Sequence, residues 1–475
     1  MPQAIPAIVA ALKATAFTIG TYAVTYGTIA KVVLLAASVA YSSRQNRKLR
    51  NRMRDLRDSG TTASFADPTA SGQIIYGEIR TGGTVVFRHT TGTKNEILWY
   101  VVVLAVHNCE EIGEVYFGDY ALGMPFGTSN NNPPSGNRYR DFVLLNKKPN
   151  SGSADADLVA GTGGKWTTDH KLVNRANFSG RLVWSQDKYP TGVPSVSCMV
   201  RGKHVYDPRD GLTKYSNNVA LVCRDYLVEW CGVDAADVPD ADVIAAANIC
   251  DETVDGGPRY TFNGKIGTDV SPQENLQDIC DAMAGFLIYS GGQYRMFAGA
   301  YTSPVKSFDI DDLRAGFRVQ TASPVNDSFN AVRALYISPD NGWQTQPSPL
   351  VYKKVPATGI TAGARVTIME VGTTDFTLIG AASNAVGVTF TASGAGTGTG
   401  IVDPYLGEDG GANERRTLDI QLVGTTDPSA VQRICRIVLE KERQDVTFVA
   451  PLNLSAPNLR PGDNIEFTDA SLGWT

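Results

Sequence analysis

The chain has 475 residues, long enough for three or four domains that each bury a core without help from disulfides. Charged residues make up 19%, hydrophobic residues 43%, and there are 47 glycines, a balance that excludes a disordered chain and fits a turn-rich α+β protein, mainly β. A net charge of -5 excludes global attraction to nucleic acid, and the seven cysteines, an odd number without a CxxC, read as reduced thiols.

The N-terminus is unusual. Residues 1–41 carry only Lys13 and Lys31 as charged side chains, and residues 14–30 form an uncharged run of Ala, Thr, Ile, Val and Gly. A bilayer-crossing helix needs roughly 20 apolar residues, and the uncharged runs here, about 17 and 10 long, mix in Thr and Tyr. The composition predicts an apolar helical segment with three possible uses. Gly20, Gly27 and the alanines would let helices of several subunits pack closely as a bundle or lumen lining. The segment would otherwise meet a membrane, or Lys31 and the VVLLAASVA after it would act as a signal peptide, which the basic run that follows opposes. Thr18, Ile19, Tyr22, Tyr26, Val32, Leu34 and Leu35 are the candidate membrane or lumen contacts. Arg44, Arg47, Lys48, Arg50, Arg52, Arg54 and Arg57 are candidate contacts for phosphate or lipid headgroups; the plainer alternative is a solvated helix face.

After a polar linker over 59–68 the pattern changes to strands. Residues 97–107 (ILWYVVVLAVH) are a continuous β-branched and aromatic run, the signature of a strand buried on both faces, and with the strand at 115–117 they predict a hairpin. Residues 127–164 are rich in Asn, Pro, Ser, Gly and Asp and predict an exposed loop with one strand at 142–145. Strands resume at 180–184 and 195–200. Three helices have identifiable starts: about 218–230, with Gly232 beyond its end; one from Ser271, with Pro272 and Glu274 forming a capping box; and one from Asp427 followed by Pro428. Their buried stripes account for three of the seven cysteines, Cys223, Cys280 and Cys435. Residues 286–289 and 294–297 flank Ser290-Gly291-Gly292-Gln293 and predict a tight hairpin. The shift to Ala, Gly, Thr and Val over 361–400 marks a small inserted β module. The domains predicted are 1–58, 59–215 with a loop insertion at about 127–165, 216–355, and 356–475 with the Gly/Thr-rich insertion at about 361–415.

Catalytic signatures are sparse. Gly394, Gly396, Gly398 and Gly400 do not make GxGxxG, and Gly161 to Lys165 (GTGGK) has the wrong spacing for a phosphate loop and is followed by Trp166. The four histidines, His89, His107, His170 and His204, show no zinc spacing. His107 and Cys109, beside Glu110 and Glu111, could ligate a metal only with a second cluster, and a strand-end turn is the plainer account. Asp155 with Asp157, and Asp309 with Asp311 and Asp312, lack the glycine and terminal Glu of a calcium loop. No GxSxG occurs, so the expectation is no enzyme, no cofactor and no metal.

Several segments resemble the J-like tip-attachment and tail-hub proteins of lambda-like siphophages. Residues 97–122 (ILWYVVVLAVHNCEEIGEVYFGDYAL) look like that family's early apolar strand, acidic turn and following strand. Residues 181–228 hold the most specific match: Tyr189-Pro190, Gly192-Val193-Pro194, the RGK-x-VYDPR block and an S-x-N-x-A-L helix start, in order. Residues 271–305, with GFLIYSGGQYR and GAYTSPV, then DSFNAVRALY and RPGDNIEFTD, follow the same order. The hydrophobic N-terminus departs from the pattern. The resemblance implies a multi-domain tail hub with β-rich tube-like domains and a few packed helices, a homotrimer closing the tube of a non-contractile tail. Its implied partners are a distal tail ring, a tape measure, tip-associated proteins and a host receptor or membrane reached through a fibre, with possible contact to ejected DNA. The competing expectation is a membrane-anchored or secreted carbohydrate-binding β protein.

Overall fold

The computed structural model describes residues 15–19, 22–25, 70–128, 131–190, 192–320, 328–443, 447–452, 459 and 461–469, in two units, Met1–Ser59 and Gly60–Thr475. The protein is β-rich with few helices, the α+β, mainly β class that composition predicts.

In the first unit the described residues are two strands, β1 (Thr15–Ile19) and β2 (Tyr22–Thr25), paired antiparallel with Ile19 opposite Tyr22 and Phe17 opposite Val24. A helix was expected there. β-Branched and aromatic residues fill both stretches, with Ala16 and Ala23 the only exceptions, and that content outweighs the flanking alanines. The remaining candidates in this unit, Tyr26, Val32, Leu34, Leu35 and the basic residues from Arg44 to Arg57, lie outside the described residues. Among the described residues no helix is long and apolar enough to cross a membrane.

The second unit begins with β3 (Gln73–Tyr76), β4 (Glu78–Thr81), β5 (Thr84–Thr91), β6 (Ile97–Val103), β7 (Glu111–Phe117), β8 (Tyr120–Ala121) and β9 (Val143–Lys148). Helix α1 (Ala156–Gly161), β10 (Asn177–Val183) and β11 (Val196–Arg201) follow. Two antiparallel sheets, ordered β5-β6-β10-β9 and β4-β11-β7-β8, share one core that includes Tyr100, Val102, Phe178, Val115 and Cys198. Strand β6 is buried on both faces, as its unbroken apolar run predicts. Tyr100 and Val102 enter this core, while Trp99 and Val101 pack on the other side against Leu158 and Trp166. That outer cover comes from the Asn/Ser/Gly-rich segment expected to be loop. It holds α1, capped by the Asp155 carboxylate, which accepts the Leu158 N–H at 3.0 Å.

Strands β6 and β7 do not form the expected hairpin. β6 is flanked by β5 and β10, and residues 104–110 carry the chain across to the other sheet, burying Leu104, Ala105, His107 and Cys109 on the way. In the folded sheet both edges of β6 are taken, by β5 and by the later β10, so β7 pairs elsewhere.

Next come the hairpin β12 (His204–Asp207) and β13 (Leu212–Tyr215), and α2 (Val219–Asp225), which continues through a π turn at Tyr226–Trp230. Asn218 caps α2: its side-chain oxygen accepts from Ala220 N at 3.1 Å and Leu221 N at 3.4 Å, while its amide donates to Ala247 O at 2.9 Å. Ala247 belongs to α3 (Asp240–Asp251), so one side chain both starts a helix and holds its neighbour. Asn218→Ala is expected to cost about 1–2 kcal/mol, read as a lower urea midpoint with unchanged slope. A midpoint equal to wild type would show that the cap contributes nothing.

The short strands β14 (Thr253–Val254) and β15 (Gly257–Pro258) precede β16 (Gly264–Gly267), which pairs with β3. Helix α4 (Pro272–Asp281) starts where the sequence places it, with Ser271 Oγ accepting from Glu274 N at 3.3 Å. The hairpin β17 (Phe286–Ser290) and β18 (Gln293–Phe297) turns through Gly291 and Gly292, whose φ angles of +63° and +83° suit glycine. Beyond β19 (Lys306–Phe308) and β20 (Arg318–Gln320) lie β21 (Ala331–Ser338), β22 (Gln344–Pro347) and β23 (Val351–Tyr352).

The predicted insertion has a core of its own, with Ile360, Val366, Ile368, Phe376, Phe390 and Val402, under the sheet β24 (Val355–Pro356), β27 (Ile401–Asp403), β25 (Arg365–Glu370) and β26 (Thr389–Thr391). It ends in α5 (Pro404–Glu408). The chain then forms β28 (Thr417–Leu422), parallel to β21, and α6 (Pro428–Arg443), started by Asp427 as predicted. Strands β29 (Thr447–Val449) and β30 (Ile465–Phe467) pair with β20 and β19. All seven cysteines are free and six are buried.

Candidate interaction surfaces

Strand β3 explains how the modules are held together. Its Ile75 enters the two-sheet core, and its Ile74 and Tyr76 enter the helical core containing α2, α3, α4 and α6. The period-two alternation of one strand thus serves two cores. Beside it, the Tyr76 hydroxyl donates to Asp225 Oδ2 at 2.6 Å, and Lys203 Nζ pairs with the other Asp225 oxygen. The phenol is pushed well above its usual pKa by burial and by the Asp225 charge. A second bond between modules is Arg80, which is buried. It donates to Ser197 Oγ at 2.9 Å and to the carbonyls of Gly118 and Gly342, with its guanidinium 4.0 Å from the centre of the Tyr116 ring. Gly342 and Trp343 form the end of the β21–β22 hairpin, and Trp343 packs on the two-sheet core in a left-handed conformation, φ +65°.

The residues singled out for chemistry take structural places. His107 is buried: Nε2 accepts the Ile75 N–H at 2.9 Å, and Nδ1–H donates to Asn108 O at 2.7 Å. Burial, chiefly, and the Lys203 charge lower its pKa to about 4. Cys109 lies 3.8 Å from the same ring, its thiol pushed far up by burial. Asp155 accepts from Ser179 Oγ and, at 2.8 Å, from Asn146, which also donates to Asp157 at 2.9 Å. Asp309 and Asp312 form a capping box on a short 3-10 turn. Among the described residues no group of three or more His, Cys, Asp or Glu is placed to hold a metal ion. The glycine run is a packing device: a Cβ on Gly400 would sit 2.6 Å from Phe376, and Gly398 has φ +93° beside Thr373.

What the surface offers instead is open strand edges and exposed aromatic side chains. The outer edges of β5 and β9 pair with no strand among the described residues. The β17–β18 hairpin stands alone as two strands, with Tyr289 and Tyr294 paired across it at 4.8 Å and Tyr289 65% exposed at its end. Tyr301, 87% exposed, and Val305, Ile310 and Ile465, in or next to the β19–β30 pair, are further exposed apolar side chains. Unpaired edges of this kind are templates for pairing with another chain. A further row of rings, Trp184, Tyr189, Tyr139 and Tyr120, caps one end of the two sheets and had no signal in the sequence, because it is assembled from β8 and two loops apart from it in the chain.

No protein-family model matches the chain. Among solved structures, a chain of the virion of a native gene transfer agent particle is similar, with a TM-score of 0.51 at 14% identity, over 86% of this chain and 82% of that one. The two chains share a fold. That the likeness spans most of both makes it one of architecture and not of a single module.

Proposed function

We propose that this chain is a virion structural protein of a tailed-phage type, the hub or tip subunit of a non-contractile tail. In this reading it closes the tail tube, links it to a central fibre, and opens for DNA ejection, without turning over a substrate. The observation that carries the proposal is the fold shared with a chain of a gene transfer agent virion over 86% of this one. The resemblance of the 181–228 and 271–305 segments to tail-hub proteins favours the hub over other virion positions.

The surface chemistry supports self-assembly. Two-stranded hairpins are marginal alone, and free edges such as those of β5 and β9 are satisfied when copies meet around a symmetry axis. A homotrimer in contact with a distal tail ring, a tape measure and tip-associated proteins would cover them. The first 58 residues, apolar and then basic, would meet the lumen, the host membrane or the passing DNA.

The test is particle composition and position. Gradient-purified particles are expected to contain the chain at a few copies each, gold-labelled antibody should mark the distal end of the tail, and native mass spectrometry of the full chain should give a trimer. A chain found only as a soluble monomer outside particles overturns the proposal.

A further inference from the structure

The row of rings at the end of the two sheets has a feature that packing alone does not explain. Trp184 follows β10, donates its backbone N–H to Glu96 O at 2.7 Å, and is 50% exposed. It is part of no buried core, unlike Tyr139 and Tyr189, which belong to the two-sheet core. One face of its indole lies against Tyr189, with ring centres 6.3 Å apart and planes 24° apart. The rest of the indole, on a residue half exposed, is open to solvent.

Behind it the support is rigid. Tyr189 is 3% exposed and stacks on Tyr139 at 5.6 Å and 27°. Tyr139 meets the edge of Tyr120, which is 39% exposed, at 5.5 Å. Arg138 lies over Tyr139 and Tyr120, 4.7 and 5.6 Å from the ring centres, and donates to Lys188 O at 3.3 Å, tying the two loops together. The buried Tyr189 hydroxyl has no hydrogen-bond partner. Three planar polar side chains of the same two loops, Arg138, Gln186 and Asp187, are exposed.

We infer that Trp184 and Tyr120 are the two ends of a binding site for a neutral glycan, with the free indole face stacking on a sugar ring and Arg138, Gln186 and Asp187 hydrogen-bonding its hydroxyls. A pyranose needs one flat apolar surface bordered by planar donors and acceptors, and this loop pair supplies both. Charge decides against a nucleic acid. The charged residues adjoining the rings in sequence balance, Asp119, Asp141 and Asp187 against Arg138, Arg140 and Lys188, and the whole chain carries -5, so nothing here favours phosphates. The site goes beyond the structural role proposed above and does not depend on it.

Saturation-transfer NMR and calorimetry on the full-length protein test it, with cellohexaose, chitohexaose, maltohexaose and a neutral bacterial O-polysaccharide as probes, and heparin hexasaccharide and single-stranded DNA as anionic comparators. At least one neutral glycan is expected to bind in the millimolar range or tighter. Trp184→Ala should weaken it about tenfold or more, and Trp184→Phe should restore most of the affinity. Tyr289→Ala, in the distant hairpin, should leave it unchanged. No binding by any neutral probe at millimolar concentration, undiminished binding by Trp184→Ala, or preference for the anionic probes overturns the inference.

Discussion

A Lys203→Met variant is expected to lose about 3–5 kcal/mol of stability, because it leaves the Asp225 carboxylate buried with a phenol as its remaining side-chain partner. Asp225 is on α2 and Tyr76 on the strand shared by two cores, so the loss falls where the sheets meet the helices. Met keeps the apolar stem of Lys and removes only the charge. The urea midpoint should drop sharply for the single variant. The double variant Lys203→Met/Asp225→Asn should recover part of the loss, since it no longer strands a charge. Equal midpoints for Lys203→Met and wild type would mean that water, and not Lys203, solvates the carboxylate.

Acid should act through His107. Its folded-state pKa is lowered from 6.5 to about 4, chiefly by burial, so the unfolded chain takes up the proton first as pH falls. The stability this neutral imidazole supports is fully present above pH 6.5, declines between pH 6.5 and 4, and is then reduced by a total of about 3 kcal/mol. A protonated ring could no longer accept the Ile75 N–H, so β3 would lose one of the bonds that hold it beside the 104–110 crossover, leaving the Val106 N–H to Gln73 O bond. Denaturation of the wild type and of His107→Gln at neutral pH and near pH 4 checks this. The wild type should lose markedly more over that range than the variant, whose amide has no proton to gain; parallel losses would place the acid sensitivity elsewhere.

Local chemistry made part of the fold legible. Ser271, Asn218 and Asp427 announce helix starts because their side chains cap backbone N–H groups within three residues. Gly291 and Gly292 announce a turn because of the φ angles it demands. The apolar run of β6 announces burial on both faces. What stayed hidden was set by distant partners. Helix α3 is rich in small residues and shows little amphipathic contrast, although Pro239, Asp240 and Asp242 mark its start. The parting of β6 and β7 depends on β10, which arrives some seventy residues later. The first unit was expected to be helical from the length of its uncharged apolar run, whereas Thr, Ile, Tyr and Val, which favour strands, fill the stretches that pair. The aromatic row with Trp184 was invisible because it joins β8 to two later loops.

Strand β21 has Tyr352 opposite Ala331 on one side and Thr417 opposite the same residue on the other. With strands about 4.8 Å apart, the points where the Gly/Thr-rich module departs and returns are roughly 10 Å from each other. The parent sheet is therefore closed by residues outside the module, and so short a gap can be bridged by a few amino acids or by any domain whose ends lie close together. Position 353–416 is a natural socket: cargo of a different kind, a fluorophore or an affinity handle, could be exchanged there while the strand order of the host remains intact.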